Sequence, residues 1–200
     1  LAIHINRIRL SNFATNNTLR PVLRLNDVNG LPSVAFRRVN AVPSQSEALF
    51  WDQPLNDIRA VFMVLGSQDG GGILLGSSAA ENTADFFRYY WADSRKPILY
   101  PTTSAAVLRD GLFFLNGYPI DPTVSSYNGM FQIVEAHPTG PVRASAFAAD
   151  RNRLNDNGCQ RICEVILYNR ELSDPERYNT ADYLMRKWFG RGTPYEASQP

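Results

Sequence analysis

One segment in the C-terminal third of the chain constrains the fold more than any other. It begins with an apolar strand pattern, Ile162 to Tyr168, and continues after a short connection as an amphipathic helix. Ser173 and Glu176 have the spacing of a capping box, and Gly190 stands where such a helix is expected to end. The sequence therefore predicts one helix over residues 174–189, packed against a buried strand.

The rest of the chain has the pattern of short strands separated by turns. A near-continuous apolar run from Ile58 to Leu65 predicts a strand that is covered on both faces. The pairs Asn29-Gly30 and Asn116-Gly117 predict two-residue hairpin turns. Many short strands without alternating helices are typical of a β-sandwich or jelly roll, and a chain of 200 residues that is 44% hydrophobic suffices for one domain, residues 1–200.

Composition and charge disfavour two classes of partner. The formal net charge is +1, and the arginines are scattered rather than gathered into a stripe, so we expect no nucleic-acid binding. No stretch of about 18 apolar residues is present, so we expect no membrane insertion. The chain begins with Leu1 rather than Met, which suggests a processed or excised piece of a longer product.

The two cysteines, Cys159 and Cys163, are expected to be free, buried thiols. On one strand, a separation of four residues places their Cα atoms roughly 13 Å apart. A disulfide requires less than about 7 Å, so the pair could form only if Cys159 lay on a turn that folds back. Without histidine partners, this spacing is also a poor metal site.

The C-terminal segment resembles a known family, the concanavalin A-like, laminin-G-like jelly-roll domains of bacterial secreted proteins and phage virion proteins. A looser likeness extends from Ile58 onward. The resemblance implies an all-β jelly-roll sandwich of two antiparallel sheets with one C-terminal α-helix. It also implies a concave face, which members of the family often use to bind sugars. The residues that carry the likeness are Ile162 to Tyr168, Asn169, Leu172-Ser173, Glu176, Tyr183-Leu184 and Lys187-Trp188.

Glu164 is a charged residue in the middle of a strand that should be buried. It is either an acid–base carboxylate or a structural carboxylate bonded to backbone or to an arginine, and the family resemblance favours the structural role. The two histidines, His4 and His137, have no neighbours at triad or metal-ligand spacing. A glycosidase needs two carboxylates roughly 5–9.5 Å apart, and the acidic residues here are isolated, so we do not expect an enzyme.

The densest aromatic cluster, residues 86–91, is the candidate ligand-binding site. Aromatic faces beside polar groups stack on sugar rings, although one face of such a strand can equally belong to the core. The predicted ligand-binding residues are Tyr89, Tyr90, Trp91, Asp93 and Arg95.

An oxygen-rich loop is the candidate metal site. Calcium takes six to eight oxygen ligands, and several laminin-G-like domains hold one at the rim of the sandwich. Asp, Asn and Gly are also ordinary turn residues, so the same loop is consistent with a plain turn. The candidate calcium ligands are Asp150, Asn152, Asn155 and Asp156.

Together these features predict a non-catalytic binding or attachment module outside the cell or at its surface. Its expected partner is a glycan or cell-surface polysaccharide. The alternative is a structural virion protein, in a capsid decoration, fibre or baseplate, that uses the jelly roll to assemble with other virion proteins. Either role allows a homo-oligomer.

Overall fold

The computed structural model describes residues 2–3, 8–9, 20–37, 47–67, 72–76, 87–89, 97–102, 104–126, 129–149 and 160–192. Within these ranges, thirteen strands and two helices follow one another along the chain. They are β1 (Ala2–Ile3), β2 (Ile8–Arg9), β3 (Val22–Val28), β4 (Leu31–Ala35), β5 (Leu49–Ile58), β6 (Ala60–Ser67), β7 (Gly72–Gly76), β8 (Phe87–Tyr89), α1 (Ala106–Arg109), β9 (Leu112–Leu115), β10 (Tyr118–Ile120), β11 (Gln132–His137), β12 (Val142–Phe147), β13 (Gln160–Tyr168) and α2 (Asp174–Phe189).

The strands form two antiparallel sheets. The larger sheet has eight strands, in the order β10-β9-β11-β6-β13-β4-β3, with β1 also paired to the end of β13. The smaller sheet has five strands, in the order β2-β5-β12-β7-β8. Buried side chains from both sheets meet in one apolar core, so the predicted β-sandwich is confirmed.

Strand β6 lies near the middle of the larger sheet and is covered on both faces, as predicted. Its odd-numbered residues from Val61 to Leu65 belong to the core between the sheets. Its even-numbered residues from Ala60 to Val64 pack under α2 on the opposite face. The predicted start of this strand at Ile58 was wrong, because Ile58 is the last residue of β5 and Arg59 separates β5 from β6.

Helix α2 has the predicted bounds. The Glu176 carboxylate accepts hydrogen bonds from the backbone N–H and the hydroxyl of Ser173, at 3.0 and 2.9 Å. Gly190 ends the helix in a left-handed conformation with φ of 66°, which glycine adopts without strain. One apolar stripe of the helix is buried on the larger sheet. Its members are Ala181, Leu184, Met185 and Trp188.

A β-bulge in β13 decides which face Glu164 occupies. Ile162 pairs with Leu65 and Glu164 with Val64, so Cys163 is an extra residue between two successive pairs. Ile162 lies in the core between the sheets, whereas Cys163 packs on the helix side. Because side chains alternate along a regular strand, Glu164 would point into the core between the sheets without this bulge.

Both predicted hairpin turns are confirmed. Asn29 and Gly30 connect β3 to β4 with φ of 49° and 76°, and Asn116 and Gly117 connect β9 to β10 with φ of 53° and 84°. Two successive left-handed residues are the requirement of a type I′ turn, whose twist matches that of the flanking strands.

The short helix α1 was not predicted. It is a single turn whose N-cap residue, Ala105, makes no side-chain hydrogen bond, so neither periodicity nor a cap marks it in the sequence. Within the described part of the chain, no helix is both long and apolar enough to cross a membrane.

Candidate functional site

The carboxylate of Glu164 is bound by three side chains of α2. Trp188 donates its indole N–H to Glu164 at 2.6 Å, and Tyr183 donates its hydroxyl at 3.1 Å. The ammonium of Lys187 lies 3.0 Å from the same carboxylate. These contacts favour the structural role for Glu164. The predicted partners, backbone or an arginine, were wrong, because the bulge turns the carboxylate toward the helix.

The same network holds Lys187 in its charged form. Burial alone lowers the pKa of the Lys187 ammonium. Its hydrogen bonds to Tyr183 and Glu164, with the charge of Glu164, outweigh burial and raise that pKa above its ordinary value. The Lys187 ammonium is therefore charged across the neutral pH range.

A second carboxylate, Glu135 on β11, is almost completely buried on the same side of the sheet. Its oxygen lies 2.7 Å from Nε2 of His137 and 3.2 Å from the Arg177 guanidinium of α2. Arg177 also lies over the ring of Phe114, 4.0 Å from its centre. The sequence did not predict this cluster, because Glu135 is two residues from His137 on β11 and Arg177 reaches Glu135 from the distant helix. This cluster ties the first turns of α2 to β11.

Cys163 is a free cysteine, as predicted, but it is only partly buried rather than buried. Burial, together with the negative charge of Asp27, raises the pKa of its thiol to about 12. The thiol is therefore protonated and unreactive at neutral pH. Cys159 lies outside the described residues.

The larger sheet thus has its central strands covered on both faces, by the smaller sheet and by α2. The smaller sheet is not open along its whole length, because Ser145 and Ala146 of β12 are buried, Ala146 in a small cluster with Ala48 and Ala149. Arg143 on β12 is exposed, because its neighbours Val142 and Ala144 both point into the core between the sheets.

Strand β5 of the smaller sheet is strongly bulged. Its residues Ile58, Leu55 and Phe50 pair with β12 residues 142, 144 and 146. Successive partners are two residues apart on β12 but three and then five residues apart on β5. Strand β5 therefore carries extra residues between successive pairs, and its ladder is irregular. Pro54 lies in the longer interruption, where its missing N–H costs no ladder hydrogen bond. Bulges of this kind re-aim side chains and are frequent beside functional sites.

The bulged strand borders a groove of about 170 Å³, which we call the β5 groove. Three exposed polar residues line it: Asn56, Asp57 and Asn169. Asp57 accepts a hydrogen bond from Nε of Arg59 at 2.8 Å, and Arg59 also lies 3.8 Å from Glu171. The complete lining is Pro54, Leu55, Asn56, Asp57 and Ile58 of β5, with Leu167, Tyr168 and Asn169 at the end of β13.

A second cavity of similar volume, also about 170 Å³, opens at the side of the core between the sheets. Its lining is mostly apolar and includes Phe36, Phe147 and Val165. The charged residue in that lining, Glu164, is already bound by α2. This cavity therefore has fewer polar groups available to bind a ligand than the β5 groove has.

The predicted ligand-binding residues fall at the edge of the smaller sheet or outside the described residues. Tyr89 lies in β8, the edge strand, and pairs with Gly72 of β7. Tyr90, Trp91, Asp93 and Arg95 lie outside the described residues. The prediction of a ligand site around these aromatic residues stays a prediction.

The predicted calcium ligands also lie outside the described residues. They are Asp150, Asn152, Asn155 and Asp156. Among the residues that are described, no group of three or more His, Cys, Asp or Glu side chains is placed to hold a metal ion. The calcium site stays a prediction.

The β5 groove is not visible in the amino-acid sequence. The groove brings together residues of β5 and of β13, more than a hundred positions apart in the chain. One local signal was present: Pro54 within a strand-like segment indicates a bulge or an edge. Asn169 directly follows the strongly patterned last strand, but nothing in the sequence places it beside Asn56.

No family model, curated protein or solved structure matches this chain. The resemblance to concanavalin A-like domains therefore stays a prediction. A proposal for the function of this chain rests on the arrangement of its own residues.

Proposed function

We propose that this chain is a non-catalytic carbohydrate-binding module of the concanavalin A-like jelly-roll type. In this proposal it acts in recognition or adhesion at a cell surface. The observation that carries the proposal is the polar β5 groove, where the ends of β5 and β13 meet and Asn56, Asp57 and Asn169 are exposed. Among the described residues, the central strands of the larger sheet are packed on both faces.

The contacts of the acidic residues support binding rather than catalysis. Glycoside hydrolysis requires two carboxylates that can both reach the scissile bond. On the larger sheet, Glu135 is buried against His137 and Arg177, and Glu164 is held by α2. Both carboxylates serve to attach the helix.

The aromatic residues at β8 are a separate candidate contact for a sugar. Tyr89 lies in the edge strand of the smaller sheet, at the end of that sheet opposite to Asn56 and Arg143. Tyr90 and Trp91 follow directly in the sequence. Aromatic rings bind the apolar faces of sugars, while amide and charged groups bind the hydroxyls.

A glycan array with the intact chain, in the presence and absence of calcium, tests this proposal. We expect binding to a defined set of glycans, and we expect Tyr90→Ala or Trp91→Ala to weaken it. Loss of binding on calcium removal would support the loop that contains Asp150 and Asp156 as a metal site. A correctly folded chain that binds no glycan on the array would contradict the proposal.

A second candidate function is structural assembly, as in a virion component. Strand β3 forms one edge of the larger sheet, and its apolar side chains are strongly exposed. Val22, Leu23 and Leu25 are 56%, 60% and 72% exposed. An exposed apolar edge strand is a template for pairing with another chain.

Light scattering coupled to size exclusion, over a range of concentrations, tests this second candidate. Assembly through β3 predicts oligomers of the intact chain that Leu25→Lys disperses. Leu112→Lys, at a residue that is 64% exposed on β9, is the matched control and should leave the oligomers intact. A monomer at every concentration would contradict the structural candidate.

A further inference from the structure

We propose that the β5 groove holds the terminal ring of a neutral sugar. This inference rests on the proposed carbohydrate-binding function and assigns its ligand contacts to Asn56, Asp57 and Asn169. These three residues lie outside the aromatic cluster that the sequence predicts as the ligand site.

The size of the β5 groove suits one ring. Its volume of about 170 Å³ is below the roughly 300–1,000 Å³ of pockets that enclose drug-sized molecules. Pro54, Leu55 and Ile58 supply apolar lining, on which the C–H face of a sugar ring can pack. The groove therefore fits a terminal residue, and the remainder of a glycan would extend over the smaller sheet.

The polar groups of the groove match sugar hydroxyls. Among the described residues, the side-chain amides of Asn56 and Asn169 have no hydrogen-bond partner, and both are exposed. Asp57 uses its Oδ1 to accept from Arg59, and its Oδ2 has no partner in the described part of the chain. An amide both donates and accepts and a carboxylate accepts, which is the combination that neighbouring hydroxyls require.

The charges around the groove favour a neutral ligand. The charge of Asp57 is compensated by Arg59, which also lies 3.8 Å from Glu171 at the rim. The charged residue in the lining, Asp57, is thus paired with one arginine, which leaves no uncompensated charge in the groove to attract an acidic or a basic sugar.

Titration calorimetry with single sugars tests the inference. The probes are the methyl glycosides of glucose, galactose, mannose and N-acetylglucosamine, with glucuronic acid as the charged comparison. We expect at least one neutral glycoside to bind and glucuronic acid to bind more weakly.

Removing one amide should weaken the binding of the neutral glycoside about fivefold, so Asn56→Ala and Asn169→Ala should each show this loss. Asn179→Ala, an exposed asparagine on α2, is the matched control and should bind as the intact chain does.

The possible results separate this inference from the function on which it rests. If glycans bind on the array but neither asparagine variant weakens the glycoside, the β5 groove is not the site and the proposed function stands. Preference for glucuronic acid would also overturn the inference. If the folded chain binds no glycan on the array, the proposed function fails and the inference fails with it.

Discussion

The contacts of Glu164 explain how a charged residue is accommodated in the middle of a large sheet. A bulge at Cys163 places its carboxylate on the helix side, where Trp188, Tyr183 and Lys187 bind it. A buried charge without such partners would be strongly destabilising. The residue is therefore part of the attachment between β13 and α2.

Replacing Trp188 by phenylalanine tests this attachment. Trp188→Phe keeps most of the buried ring but removes the hydrogen bond to Glu164. Since hydrogen bonds to charged groups contribute about 1.5–3 kcal/mol, and two other partners remain, we expect a loss near 1.5 kcal/mol. For a chain of this length that lowers the thermal midpoint by about 3–6 °C. Tyr183→Phe, which removes a more exposed hydrogen bond, should cost less than about 1 kcal/mol, and equal losses would contradict this account.

The thiol of Cys163 gives a second prediction. Its pKa of about 12, against an ordinary value of 9.0, means that almost no thiolate is present at pH 8. In a Cys159→Ser background, Ellman's reagent should label the native chain at least about a hundredfold more slowly than the chain unfolded in guanidinium. The raised pKa also means that this group stabilises the fold below pH 9 and that this stability is lost as pH rises toward 12. Equal labelling rates of native and unfolded chain would contradict a partly buried, protonated thiol.

At the scale of elements, helix α2 shows why some bounds can be predicted from sequence. Its start and its end depend on Ser173, Glu176 and Gly190, which act within one turn of the helix. Such local chemistry is visible in the sequence alone. The apolar stripe that packs on the larger sheet is equally local, because it follows from helical periodicity.

The acid sensitivity of α2 should depend on Glu176. Its hydrogen bond from Arg170, and those from Ser173, lower the pKa of the Glu176 carboxyl to about 2. Because this pKa lies below the ordinary value of 4.5, its stabilisation is present above pH 4.5 and is lost as pH falls toward 2. Glu176→Gln should therefore lower the thermal midpoint at pH 7, and the difference from the intact chain should shrink between pH 4.5 and 2. A difference that does not change with pH would contradict this role.

Strand β5 shows why other elements could not be predicted. Its bulges arise from the way it pairs with β12, and the β5 groove exists only because Asn169 at the end of β13 lies beside it. Neither relation is local in sequence. The Pro54 signal indicates an irregular strand but not its partner or its face.

At the scale of the whole molecule, the β character, the two faces of β6 and the closing helix follow from the sequence pattern. The order of strands in the sheets does not, because it depends on pairings such as that of β1 with β13, from opposite ends of the described chain. The same holds for the Glu135, His137 and Arg177 cluster, which joins a strand to a helix 42 positions away. Hydrophobic patterns in the sequence predict which residues are buried but not which of them are in contact.

Removing α2 should abolish the fold of the whole chain. The helix covers Phe62, Ile133 and Ile166 on the larger sheet, and a chain that ends at residue 172 would expose them all. We expect this truncated chain to bind the dye ANS and to lose its cooperative unfolding transition. A chain that ends at residue 192 keeps α2 and is the matched control. Cooperative unfolding of the shorter chain would show that the helix is dispensable.

Hydrogen–deuterium exchange of the intact chain, with and without the methyl glycoside that binds best, tests the central claim most directly. If the sugar binds in the β5 groove, exchange should slow in peptides that cover residues 53–58 and 167–171. Peptides that cover residues 178–189 of α2 should exchange at the same rate in both samples. Slowing confined to α2, with the β5 peptides unchanged, would contradict the account.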